Sequence, residues 1–161
     1  MKKALFPVCF VLLVFFVSTH CLQAAPPVPP EVKSFMLKFM KEMVTHNSTF
    51  SQAVAKVNDP GQMARAIDAY RESITPLITG MVALEEKYRD FFRAMDDQDE
   101  DAKSGDTEID AAQEDFEKNA REFGATMMKI LGMMDKPEVQ AAMERLEQLM
   151  NRLEREEDDL D

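Results

Sequence analysis

The chain has 161 residues, with 30 acidic against 19 basic ones, a formal net charge of −11, 45% hydrophobic residues and only two cysteines. That length suits one domain, and the apolar content suffices for a real but modest core. So acidic a surface is repelled by nucleic acid and by anionic lipid, which sets aside proteins that bind either.

Met1, Lys2 and Lys3 make a basic start, Ala4 to Val17 an apolar run, and Ser18 to Ala25 a polar, small-residue end. This is the order of a secretory signal, and the apolar run is too short and wrongly flanked to span a membrane. Cleavage is expected after Ala24, which makes residues 1–24 a signal peptide and the protein exported, periplasmic or secreted. No stable membrane insertion is expected once the signal is gone. His20 beside Cys21 argues against lipidation there. Cys9 and Cys21 would leave with the signal, and disulfides, thiolate catalysis and cysteine metal sites with them. Losing Lys2 and Lys3 takes the net charge from −11 to −13.

Residues 25–30, Ala-Pro-Pro-Val-Pro-Pro, form an extended lead-in to a single helical domain over residues 31–161. The first helix starts near Glu31 and carries Val32, Phe35, Met36, Phe39, Met43, Phe50, Val54 and Val57 at helical spacing. Asn47, Ser48 and Thr49 are weak helix formers, so the helix is expected to loosen there. The same triplet fits the N-glycosylation acceptor pattern.

Asp59, Pro60 and Gln62 then supply a cap, a first-turn proline and a capping box. From Met63 an apolar residue recurs at steps of four and three through Ile67, Tyr70, Ile74, Leu77, Met81, Leu84, Tyr88 and Phe91 to Met95. This predicts one amphipathic helix roughly 50 Å long whose seam must be covered by other helices. Pro76 cannot donate to the Glu72 carbonyl, so a kink is expected near it.

Asp96 to Gly105 reads as an acidic loop. A further helix begins near Asp106 or Thr107 and aligns Ile109, Ala112, Phe116, Ala120, Phe123, Met127, Ile130 and Met134. Asp135 and Glu138 suggest a second capping box, and a last helix aligns Val139, Met143, Leu146, Leu149, Met150 and Leu153 before an acidic C-terminal end. The fold class that follows is all-α: an antiparallel helical bundle of about four helices around a long central helix kinked near Pro76.

Chemistry has few footholds in this chain. Beyond the signal the only histidine is His46, and neither a phosphate loop nor a nucleophile elbow is present. On a helix His46 points away from Ser48, and Glu42 precedes it by four residues where a di-iron bundle needs three. The chain therefore reads as no enzyme. Two binding arrangements stand out. His46 with Met43 on the edge of the first helix offers an imidazole and a thioether, a pairing that suits copper or haem. Asp97, Asp99, Asp101 and Glu108 occupy positions 1, 3, 5 and 12 of a loop that resembles the EF-hand calcium pattern, with Ala102 in place of its glycine and Ser104 in place of its apolar residue. Against the first stands methionine's ordinary role as a gap-filler in cores, and against the second the ease with which alternate aspartates arise by chance in so acidic a chain. The leading expectation is a non-enzymatic, adaptor- or chaperone-like protein that engages a protein partner, with self-association into a homo-oligomer where the long seam is not fully covered. A metal or haem carrier is the alternative.

Overall fold

Proline sets where three of the helices begin, because its fixed φ suits the first helical position and its missing N–H is not needed there. The computed structural model describes residues 28–96 and 106–158. Among them run α1 (Pro30–Ala55), α2 (Pro60–Lys87), α3 (Arg89–Asp96), α4 (Thr107–Leu131) and α5 (Pro137–Asp158). The signal peptide, the first residues of the lead-in and Asp97 to Gly105 lie outside the described residues.

Side-chain caps complete the starts. Asp59 Oδ1 accepts from the Gln62 N–H at 2.9 Å, and Asp106 Oδ1 accepts from the N–H groups of Glu108 and Ile109 at 3.0 and 3.4 Å. Asp135, expected to cap α5, instead holds the Lys136 ammonium at 2.7 Å. At the far end of α1, Lys129 Nζ reaches across from α4 to the carbonyls of Val54 and Ala55 at 2.9 and 3.0 Å. A cation thus sits on the last carbonyls of a helix, that of Val54 also accepting from the Val57 N–H at 3.1 Å.

The five helices pack as an all-α bundle, and the cross-links give their directions. Glu31 meets Lys87 while Asn47 meets Tyr70, so α2 runs back along α1. Lys33 meets Asp106, Asn47 meets Asn119, Ser51 meets Thr126 and Val54 meets Lys129, so α4 runs parallel to α1. The turn over 132–136 then reverses the chain, and α5 lies along α2 with Arg145 on Asp68. The chain goes up, down, up and down, yet its most extensive helix pairings are the parallel ones, α1 with α4 and α2 with α5. One apolar cluster runs through all four long helices, including Phe39, Met43 and Phe50 of α1, Met63, Ile67 and Ile74 of α2, Phe116, Phe123 and Ile130 of α4, and Val139, Met143 and Leu146 of α5. Phe35 lies over Gly80, where an added Cβ would come within 2.8 Å of its ring. Gly80 is what lets the two helices approach so closely at that level.

Two local expectations are revised. The helix does not loosen at Asn47, Ser48 and Thr49: α1 is helical throughout, because Asn47 is buried with its side chain engaged on other helices and Thr49 Oγ1 bonds back to the Thr45 carbonyl. Burial also leaves no room on Asn47 for a glycan in the folded protein. The seam from Met63 to Met95 is not one helix. Tyr88 leaves the helical region, at φ −117° and ψ 32°, and separates α2 from α3. Its hydroxyl donates to Glu31 Oε2 at 2.7 Å, on the carboxylate that also holds the Lys87 ammonium at 2.6 Å. Pro76 lies within α2, which continues through it. Among the described residues no helix is long and apolar enough to cross a membrane.

Candidate functional site

The residues singled out from sequence are not gathered into one place. Met43 is buried in the core, and His46 is half-buried on α1 beside Asn47. Asp97, Asp99 and Asp101 lie outside the described residues, whereas Glu108 is in the first turn of α4 with its carboxylate 3.1 Å from Lys33 Nζ. Among the described residues no three His, Cys, Asp or Glu side chains are grouped to hold a metal ion.

What the fold does bring together is a polar chain in the α1·α4 seam. Its buried polar residues are Asn47, Asn119 and Thr126. The Tyr70 hydroxyl donates to Asn47 Oδ1 at 2.6 Å, Asn47 Nδ2 donates to Asn119 Oδ1 at 2.9 Å, and Asn119 Nδ2 donates to Ser48 Oγ at 3.2 Å. Two turns further along α4 from Asn119, the Thr126 hydroxyl donates to Ser51 Oγ at 2.7 Å. Aromatic rings close one side: Phe50 stacks on Tyr70 with centroids 4.4 Å apart, and Phe123 lies 5.8 Å from each. Burial pushes the Tyr70 phenol well above its ordinary range. It therefore stays protonated and serves as a donor, not as a base. The assembly holds neutral amides and hydroxyls in register, and a paired buried Asn is a known way to fix helix alignment.

Helix α4 is unusual on its outer side as well. Met128 is 69% exposed, a large apolar side chain left in solvent among the described residues. Met127, Met133 and Met134, all within six residues of it in the chain, are half-buried against the core. The N–H groups of Met133 and Met134 bond back to the carbonyls of Ile130 and Leu131, which keeps this methionine corner tight against the end of α4.

At the opposite end, charges tie α4 and α2 to α1. Lys33 Nζ lies 2.6 Å from Asp106 and 3.1 Å from Glu108. Bonding to Lys33 holds the Asp106 carboxyl below the ordinary carboxylate range, and bonding to Asp106 and Glu108 raises the Lys33 ammonium. Bonds from Lys87 and then Tyr88 likewise lower Glu31.

Sequence reading missed Asn119 and Thr126, since it placed Ala120 and Met127 on the inner face. The signal was there as a seven-residue series, Ala112, Asn119, Thr126 and Met133, three places behind Ile109, Phe116, Phe123 and Ile130. Comparison with family models, with curated proteins and with solved structures returns no match.

Proposed function

We propose that this protein is an exported, non-enzymatic interaction module, adaptor- or chaperone-like, that engages a protein partner through the methionine corner at the end of α4. The observation that carries this is Met128, 69% exposed and flanked by three half-buried methionines. Thioether side chains are flexible and polarizable, so such a surface adapts to partners of varied shape. The acidic surface, at a net charge of −11 for the full chain and −13 without Lys2 and Lys3, adds attraction for a cationic partner that weakens with salt. Export rests on the order of residues 1–24.

The test is affinity purification of the tagged protein from the envelope fraction of its source, in parallel with a Met128→Asp variant. A partner recovered by the parent and lost from the variant is the expected result. Recovery of the same proteins in equal amounts by both, or of none by either, would end the proposal.

A further inference from the structure

Exposure sets one methionine of this chain apart from the rest. Met40, Met43, Met63, Met81 and Met143 are buried, and the other methionines with described side chains are half-buried, except Met128 at 69% exposure. A helical side chain leans back over the turn that precedes it, which for Met128 holds Gly124 and Ala125. Neither residue shields the thioether: Ala125 is short and itself exposed, and nothing stands within 4 Å of the place that a Cβ on Gly124 would take. Gly124 lies inside α4, where glycine is unfavourable relative to alanine, and no packing neighbour requires it there. Its effect is to leave the flank of Met128 open. The backbone at this point is regular, since the Met128 carbonyl accepts from the Gly132 N–H at 3.1 Å, so a change at the sulfur places no load on the helix.

We infer that Met128 is a reversible oxidation site that switches the methionine corner off; this rests on the corner being a partner-binding surface. The oxidant is a peroxide. A lone pair of the thioether sulfur attacks one peroxide oxygen, an S–O bond forms as the O–O bond breaks, and the departing hydroxide takes up the proton of the transferred oxygen and leaves as water. The sulfur gives up two electrons to the peroxide and becomes a sulfoxide. At a side chain 69% in solvent the polar S–O group stays hydrated, so the bundle keeps its core. The same change at the buried Met43 or Met63 would place an unpaired acceptor among apolar side chains. For partner binding the consequence is the reverse: a surface made of flexible apolar thioethers acquires an oxygen that contact must strip of water. Enzymatic reduction of the sulfoxide restores the thioether.

Treatment of the purified protein with hydrogen peroxide, followed methionine by methionine in peptide mass spectra, tests it. Met128 is expected to gain oxygen at least about tenfold faster than Met127, Met133 and Met134, with helical circular dichroism unchanged once one oxygen has been taken up. Capture of the partner from the envelope fraction is expected to fall at least about fivefold on oxidation and to return after treatment with methionine sulfoxide reductases. In a Met128→Leu variant, capture is expected to persist and to become insensitive to peroxide. Oxidation of Met128 no faster than of the half-buried methionines would overturn the inference, as would loss of the helical signal with the first oxygen. Equal capture by untreated and oxidised protein would also overturn it, while leaving the corner's role in partner binding intact. Equal capture by the parent and Met128→Asp, or none by either, is the failure of that role itself and takes the switch with it.

Discussion

Two parallel helix pairs make up most of this bundle, and they are built on different principles. The α1·α4 pair is aligned by hydrogen bonds between neutral side chains, from Tyr70 through Asn47 and Asn119 to Ser48, and from Thr126 to Ser51. The α2·α5 pair buries Met63, Ile67 and Ile74 with Val139, Ala142 and Leu146, and its cross-helix salt link, Asp68 to Arg145, lies at the exposed edge. Apolar burial is worth more per side chain than a neutral hydrogen bond, about 1.5–3 kcal/mol against about 0.5–1.5. A hydrogen bond, however, is directional: a slipped register still buries a leucine but leaves an asparagine unpaired. The difference teaches that α2·α5 supplies strength and α1·α4 supplies alignment. Asn151 on α5, whose Oδ1 is buried without a partner, is a local departure from that division.

The division is broken most severely on the apolar side. Leu146→Ala removes a side chain only 7% exposed and is expected to lower stability by about 3 kcal/mol, read from the midpoint of chemical denaturation. A loss of under about 1 kcal/mol would mean that α5 is not a principal anchor. Next comes Asn119→Ala, which strands the Asn47 amide in the seam and is expected to cost about 2 kcal/mol. Replacing the buried members of the polar chain at once, with Asn47→Leu, Asn119→Leu and Tyr70→Phe, leaves no buried amide or phenol unpaired, and only the half-buried Ser48 hydroxyl loses a donor. That variant is expected to equal or exceed the parent in stability while its α1·α4 register loosens, seen as broadened amide resonances in α4.

Tyr70→Phe alone removes a single donor and is expected to cost about 1 kcal/mol near neutral pH. It also sharpens the comparison through pH. Because burial raises the folded-state value of Tyr70, the unfolded chain releases the phenol proton first, and the stability this residue contributes is whole below about pH 10 and declines above it. Between pH 9 and 11 the parent should therefore lose stability more steeply than Tyr70→Phe, and equal slopes would count against the burial of this phenol. The smallest effect belongs to Arg145→Ala. The bond to Arg145 lowers the Asp68 carboxyl, so the stability it contributes is present above the ordinary carboxylate range and is lost as pH falls through the lowered value. The variant should melt only slightly below the parent at neutral pH, and that gap should close in acid.

The helices were legible from sequence because their apolar periodicity and their proline starts are strong local signals. Asp59 and Pro60 mark the start of α2, and Asp106 the start of α4, just where the chain caps them. What stayed hidden depends on rotation and on contact between distant helices. Asn47 reads locally as a weak helix former, and only Tyr70 and Asn119, 23 and 72 residues away, turn it into a buried pairing residue. Ala120 and Met127 fit a helical face as well as Asn119 and Thr126 do, so periodicity alone could not fix which face of α4 turns inward. Tyr88 continues the apolar series of α2 without a miss, yet it leaves the helical region and its hydroxyl bonds Glu31, a partner no local pattern announces. The methionine corner was visible only as composition; its exposure is a property of the packed form.

The preference for parallel pairing also bears on how the chain reaches this form. The α1·α4 bonds join residues 71 to 75 positions apart, and the Asp68 to Arg145 bond spans 77. The α1·α2 hairpin can close from neighbouring sequence, but each parallel interface joins helices with other helices between them in the chain. Loop-closure entropy must be met before those distant contacts contribute, which slows folding relative to a bundle whose consecutive helices are its main partners. In a chain that has closed only the α1·α2 hairpin, Phe50 already stacks on Tyr70, and the side of both rings that Phe123 covers stays open until α4 docks.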